Sequence, residues 1–429
     1  KLREHRRGAP DDADGPASTA ECHGRRRIQA ERSALSFQDL LVPADSFDAR
    51  PVVAALVGMA LEEGASDLHL RPTEGRVEVL LRRDGILSTR LELSPQAYAR
   101  LLVGLKNMAR LASYKRSVPQ DGRLEVEGTE VRVATVPTHF GEKAVLRILH
   151  PDRHRLEMEE LGFTDGELER LQRMVDRPQG LVLATGPAGS GKTTTLFAAL
   201  RWRFARHREL LGAELNVVTL EDPVETAIPE FTQSPILPER GMTFASGLRS
   251  ILRQDPEVIL VGEIRDGETA SAAVQCSLSG HLVLSTLHAR DSLGVIPRLL
   301  EMGTQAYLLA ASLEGVLSQR LVRRLCPQCR RELPPPPALA RERREHDLPA
   351  DAPCWEAVGC AKCHGLGFSG RTAVPELLEV DDELRQGILD RAPLRTLRER
   401  ASLLPLRRAA LERVASGITS WAEVQRTIR

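Results

Sequence analysis

Aromatic residues are scarce, 3% of 429, and the sequence carries no net charge, with 59 Lys and Arg against 59 Asp and Glu. The balance removes the sequence-independent pull toward a phosphate backbone or anionic lipid, and few aromatics leave little surface for stacking bases. Nucleic acid is therefore not an expected partner. Long apolar runs are also missing: stretches such as residues 181–184 and 258–261 fall far short of the ~20 residues that cross a bilayer. Cysteine is sparse and odd in number, seven in all, and no apolar signal segment precedes them. That usage fits a reducing compartment rather than a disulfide framework, so a cytoplasmic location is expected. The sequence begins at Lys1 rather than Met, and a native start upstream is expected.

Apolar periodicity divides the rest. Residues 1–50 mix acids, the run Arg25-Arg26-Arg27, Gly, Pro and Ser without periodicity, and read as a disordered or remnant segment. Residues 51–150 read as a small α/β domain. Val52, Val53, Leu56, Val57 and Ala60 recur at helical spacing, Val77, Val79 and Leu81 alternate as in a strand ending at Asp84-Gly85, and further alternation follows at 124–126 and 131–133. A helical connector fills 151–178. Four apolar strand candidates, at 181–185, 217–220, 258–261 and 282–286, then interleave with helical segments across 179–320, which predicts a mainly parallel sheet covered on both faces. Two Cys pairs and a charged, Pro-rich insert, read as a surface loop, occupy 321–372, and 373–429 reads as a helical C-terminal region.

Gly186-Pro187-Ala188-Gly189-Ser190-Gly191-Lys192-Thr193 fits G-x-x-x-x-G-K-[ST] between an apolar strand and an amphipathic helix. Its glycines permit the curvature that aims successive N–H groups and a helix N-terminus at phosphate oxygens. Lys192 is expected to neutralise the β- and γ-phosphates and Thr193, followed by Thr194, to ligate Mg²⁺, with ATP as the nucleotide. Ligands of open α/β sheets sit beyond the carboxyl ends of the strands, and three polar residues stand there: Glu221, Glu263 and His288. Glu263 suits a carboxylate that holds Mg²⁺ through water or polarises the attacking water, Glu221 is the other candidate for positioning that water, and His288 could sense the γ-phosphate.

Cys326-x-x-Cys329 and Cys360-x-x-Cys363 have thirty residues between them. Each pair can present two thiolates to one tetrahedral ion, so four close the shell of a structural Zn²⁺ site. Cys354 and His364 are substitute ligands in reserve, a pair of reactive dithiols is the other reading, and Cys22 and Cys276 have no assigned role.

These motifs together resemble the secretion ATPases of type II secretion and type IV pilus assembly, the GspE/PilB-like family. The phosphate loop with Thr194-Thr195-Leu196 matches. Residues 220–225 resemble the aspartate box, 247–266 the Walker B segment and 280–288 the histidine box. Upstream, residues 65–69, 82–85 and 119–123 are similar to the second N-terminal domain of that family. The resemblance implies a hexameric α/β motor with a RecA-like P-loop ATPase core, a small N-terminal α/β domain, a tetracysteine zinc module and a helical C-terminal region. It implies a homo-hexamer at the cytoplasmic face of an envelope machine, docked on inner-membrane platform proteins, that turns ATP hydrolysis into assembly of a pilus-like fibre. It also implies arginines delivered in trans from the small domain, with Arg82, Arg123 and Arg132 as candidates. Leu80 stands where such proteins often carry a further Arg, Ala188 replaces the commoner Thr, and the docking domain that relatives carry at the front is expected to be largely absent. Two other classes stay open on the residues: a non-hydrolysing nucleotide-gated scaffold, and a RecA-like translocase of DNA or RNA using the zinc module as a grip.

Overall fold

The helical spacing of Val52, Val53, Leu56, Val57 and Ala60 buries one stripe of the helix Ala49–Glu62, whose N-terminus is capped by Asp48 accepting from the Arg50 N–H at 3.0 Å. The computed structural model describes residues 47–149 and 156–428. The Arg25 run, Cys22 and the connection at His150-Pro151 lie outside the described residues. The chain divides at His150/Pro151 into two units, taken here in turn.

In the first unit, six strands form one antiparallel sheet: β1 Asp67–Thr73, β2 Arg76–Arg83, β3 Ile86–Leu93, β4 Gln120–Val126, β5 Thr129–Thr138 and β6 Gly141–Ile148, in the order β3-β2-β1-β6-β5-β4. Alternation sends Leu68, Leu70, Val79, Leu81, Val131, Val133 and Leu146 into a core with the helices Ala49–Glu62 and Pro95–Met108. Ser94 caps the second helix ahead of Pro95, and Gly104 lets the two helices meet, since a Cβ there would lie 2.1 Å from that of Ala49. Asp121-Gly122 sits inside β4; Gly122 is required because the Ala109 carbonyl would lie 2.5 Å from a Cβ.

The other face of this sheet carries charge in register. Arg82 stands opposite Asp67, Asp67 opposite Arg147, Arg147 opposite Arg132 and Arg132 opposite Arg123, a row across five neighbouring strands. Sequence alone separates these residues by up to 80 positions and gives no sign of the row.

The second unit is built on a seven-stranded sheet of β7 Gly180–Thr185, β8 Val217–Glu221, β9 Thr232–Pro235, β10 Val258–Val261, β11 Leu282–Leu287, β12 Leu313–Leu325 and β15 Phe368–Glu379, in the order β15-β12-β7-β11-β10-β8-β9. All neighbours are parallel except β12 with β15. The four strands expected from apolar runs are β7, β8, β10 and β11, and alternate residues of each enter separate cores. Leu181, Leu220, Ile259 and Val283 face one side, while Val182, Val217, Leu260 and Leu284 face the other. Helices cover both faces because these four strands are apolar on both.

The ends of the sheet differ from a division into modules at 320 and 372. Both positions fall inside strands, β12 and β15, so the cysteine-bearing segment leaves the ATPase sheet on one strand and returns on its neighbour. The insert between the cysteine pairs is not a surface loop. It forms β13 Arg331–Leu333, the helix Pro337–Glu345 and β14 Cys354–Glu356. Leu339 enters a core with Cys354, Ala409, Leu411 and Val414, and Arg343 is fully buried, donating to the carbonyls of Ala352 and Pro353. The C-terminal helices are held by ion pairs that sequence reading missed: Arg413 with Glu167, and Arg323 with Glu423, at 2.6 and 2.7 Å.

Candidate functional site

The phosphate loop follows directly from β7. Gly186, Gly189 and Gly191 have φ of +142°, +72° and +86°, a backbone that side-chain-bearing residues resist, and Gly191 is the N-cap of the helix Lys192–Leu211. Pro187, Ala188 and Gly189 are exposed at the crown, and Ser190 is buried beneath it. The Lys192 ammonium donates to the carbonyls of Gly186 and Pro187 at 2.9 and 3.1 Å. Burial pushes its pKa down and nearby Arg320 adds to this, against the pull of Glu263 in the other direction.

Register brings the other strand ends to the same level. Leu220 and Ser285 flank Val261 on either side, so Glu221 ends β8 beside Gly262-Glu263, and Thr286 stands opposite Ala184. One cavity of about 240 Å³ is lined by Ala188, Lys192, Thr193, Glu221, Glu263 and His288, with Asp222, Glu225 and Thr286 completing its polar wall. The structure thus gathers both glutamates and the histidine with the loop. Glu221 is buried, and its Oε1 accepts from Thr219 at 2.6 Å and from Gln233 at 2.8 Å. Glu263 is half-buried and in contact with Arg265, whose guanidinium also reaches Asp222 at 3.5 Å. Thr193 and His288 are exposed, and Thr194 lies on the helix outside the cavity wall. The loop fits a polyphosphate, and Thr193 with Glu263 presents the hydroxyl and carboxylate donors that suit a hard, hydrated divalent cation.

Gln233 and Gln319 were not foreseen. Gln233, from β9, fixes Glu221; Gln319, from β12, donates from Nε2 to Ser190 O at 2.7 Å and accepts from Thr195 Oγ1 at 2.9 Å. Both come from strands too short or too mixed in polarity to stand out as periodic runs.

The three candidate arginines lie in the first unit, on the charged row. Arg82 donates to Gly85 O at 3.0 Å and stands 3.9 Å from Asp67, and Arg123 pairs with Glu130 at 3.2 Å. Arg132 lies between Arg123 and Arg147 in register. Arg147, not foreseen, binds Asp67 at 3.0 Å.

Cys326, Cys329, Cys360 and Cys363 form one cluster with all sulfurs within 4.8 Å of one another. A tetrahedral ion at a Zn–S distance of ~2.3 Å requires S···S edges of about 3.8 Å. Three edges measure 3.9, 3.8 and 3.7 Å. Backbone N–H groups of Gly359, Cys360 and Gly367 point at sulfur, as the outer shell of a thiolate site does. Burial alone would raise the Cys363 thiol, but N–H groups of Cys360 and Gly367 and neighbouring thiols bring it down to about 6. The four cysteines fit zinc. Cys354 is no part of the cluster; its thiol donates to the Leu333 and Pro334 carbonyls, and His364 is likewise outside. Burial pushes Cys276 up to about 11, leaving it an unreactive core residue.

Residues 44–426 match the family described as type II/IV secretion system protein. Type II secretion system protein E of Klebsiella pneumoniae is 44% identical over 391 residues, covering 89% of this chain and 77% of that protein. The type II secretion system ATPase E of Vibrio cholerae serotype O1 is 42% identical over 400 residues, covering 91% and 78%. Among solved structures, the Legionella pneumophila ATPase DotB aligns with a TM-score of 0.63 at 21% identity, over 88% of this chain and 95% of that one. The pilus retraction motor PilT with bound ADP aligns with a TM-score of 0.59 at 23% identity, over 87% and 96%, so both share the fold. No described helix is long and apolar enough to cross a membrane. By sequence match along most of its length and by fold, the chain belongs to the type II/IV secretion system protein family.

Proposed function

We propose that this chain is the ATP-hydrolysing motor of a type II secretion apparatus, working as a cytoplasmic homo-hexamer on inner-membrane partners to drive assembly of a pilus-like fibre. The observation that carries the reading is the single cavity in which Lys192 and Thr193 of the phosphate loop face Glu221, Glu263 and His288 from three neighbouring strand ends. The relatives named type II secretion system protein E and ATPase E, alike over nearly the whole chain, favour secretion over other uses of this fold.

The loop amides and Lys192 would bind the triphosphate. The ammonium is held by two loop carbonyls, and phosphate oxygens would replace them. Thr193 and Glu263 would hold Mg²⁺, which when bound supplies neutralisation of charge on the β- and γ-phosphates. Glu221 has one oxygen fixed by Thr219 and Gln233, which leaves its second oxygen, on a rigid carboxylate, to orient the attacking water and accept its proton. His288, at the end of β11, suits a contact to the γ-phosphate. Arg82, Arg123 and Arg132 would complete the site of a neighbouring subunit, stabilising the charge that develops on the transferring group. The tetracysteine cluster would hold a structural Zn²⁺ without entering the reaction.

The test is ATP turnover by the full chain and by Lys192→Ala and Glu263→Gln, with the oligomer measured by mass. Loss of turnover by at least 100-fold in both, with hexamers in the wild type, is expected; normal turnover in Lys192→Ala would refute hydrolysis at this loop.

A further inference from the structure

A loop with three glycines at positive φ has many accessible conformations, and something must select the one that aims its N–H groups inward. We propose that Gln319 is the positioning residue that does so, holding the phosphate loop from beneath without touching nucleotide. The inference rests on the reading of the loop as the ATP site.

Strand β12 outruns β7. Ser318 pairs with Thr185, the last residue of β7, so Gln319 lies just past the point where β7 gives way to the loop. Its side chain is 1% exposed and uses its amide in both senses, the Nε2 donating to Ser190 O and the Oε1 accepting from Thr195 Oγ1. One side chain therefore joins the loop to the first turn of the helix that follows it. Both ends of the loop press on the same residue. A Cβ at Gly186 would lie 2.5 Å from Gln319 O, and one at Gly191 would lie 2.8 Å from Gln319 Nε2. The two glycines thus serve close packing on β12 as well as curvature. Arg320 braces the strand from the next position, donating to Gln319 O at 3.0 Å and to Arg290 O at 2.9 Å.

Methionine at 319 keeps the length and removes the amide; glutamate keeps the shape, sets a carboxylate oxygen against the Ser190 carbonyl and adds negative charge behind the triphosphate. Two buried hydrogen bonds of ordinary strength correspond to roughly 5- to 150-fold in affinity. In the full chain, Q319M is expected to raise the KM for Mg-ATP and the Kd for Mg-ADP by that factor. The melting temperature without nucleotide should fall by a few degrees at most, the cost of two buried hydrogen bonds, and kcat should change less than KM. Q319E should be more damaging than Q319M. T195S should retain wild-type KM, T195V should raise it, and T195V with Q319M should fall short of additivity because they break the same bond. The inference is overturned by wild-type KM in Q319M, by loss of KM only in step with loss of nucleotide-free stability, or by full additivity. Lys192→Ala is the control: if it turns over ATP normally the ATP site itself is misplaced, whereas inactive Lys192→Ala beside wild-type Q319M defeats Gln319 alone.

Discussion

Arg147 donates from Nε to the Asp67 carboxylate at 3.0 Å, and that carboxylate is the one acid in a row with four arginines. Three of the four were candidates from sequence; Asp67 neighbours Arg82 and Arg147 in the row, and Arg123 at its end is met by Glu130 instead. Asp67 is nearly buried and balances Arg82 on one side and Arg147 on the other. Burial alone would raise its pKa, but hydrogen bonds from Ser66 and Arg147 and the charge of Arg147 hold it below the ordinary value of 3.8. A depressed folded-state pKa contributes stability that is present above the unfolded value and is lost as pH falls through the folded one. Asp67→Asn should therefore destabilise the protein by about 1 kcal/mol at pH 7, discounted because Arg147 is largely exposed, with the difference from wild type shrinking on acidification below pH ~4. Urea unfolding at several pH values measures it; an Asn variant equally destabilised at pH 7 and at pH 2 would disprove the electrostatic account. If the arginines act on nucleotide, turnover in Asp67→Asn should fall beyond what the stability loss explains.

Lys106 and Glu142 make a fully buried ion pair at 2.7 Å in the first unit, with Lys106 also donating to Lys115 O and Tyr98 donating to Glu142 O. Removing one partner leaves an uncompensated buried charge. Lys106→Met alone should cost about 3–5 kcal/mol, while Lys106→Met with Glu142→Leu should recover much of that loss. Denaturant unfolding of the three proteins decides it. A double variant as unstable as the single one would show that shape, not charge, sets the cost.

The phosphate loop, the acids at strand ends and the paired cysteines were legible because each is a local string whose chemistry follows from spacing alone. The four central strands were legible because both their faces are buried, which writes unbroken apolar runs. What stayed hidden depends on contacts between distant segments. Gln319 is one polar residue in a strand of mixed polarity, and only the register of β12 with β7 sets it under the loop. Arg147 gained meaning only from its register with Asp67. The insert after Cys329 read as a loop because it is Pro-rich and charged, yet Arg343 is buried with its charge met by two carbonyls that no sequence pattern announces.

The cysteine cluster predicts one tightly held metal and a route by which its loss is felt. Cys326 follows β12 directly, and its N–H donates to the carbonyl of Gly367 just before β15, so the cluster ties the edge strand β15 to its neighbour β12. Cys363→Ser removes the sulfur that receives N–H groups from Cys360 and Gly367. Bound zinc should fall from about one per chain to well below half, and the melting temperature should drop by several degrees, since a metal bound only by the folded state stabilises it. Elemental analysis with calorimetry tests this; Cys363→Ser that keeps full zinc would remove Cys363 from the ligand set.

Glu221 and Glu263 stand in one cavity with unequal surroundings, and this separates their expected roles. Glu221 is buried, with Oε1 held by Thr219 and Gln233, whereas Glu263 is half-buried beside its exposed ion-pair partner Arg265. A residue that orients water and accepts its proton is needed only in the transition state, so Glu221→Gln should lower kcat by about 10²–10⁴-fold and leave the KM for ATP nearly unchanged. Glu263→Gln is expected to weaken the hold on Mg²⁺, raising the Mg²⁺ concentration required for half-maximal rate as well as lowering turnover. Gln233→Leu frees Glu221 to turn and should lower kcat less than Glu221→Gln does, again at constant KM. Steady-state kinetics over ATP and Mg²⁺ distinguishes these outcomes. If Glu221→Gln raised KM without lowering kcat, Glu221 would be a binding residue and the water would have to be positioned from elsewhere in the cavity.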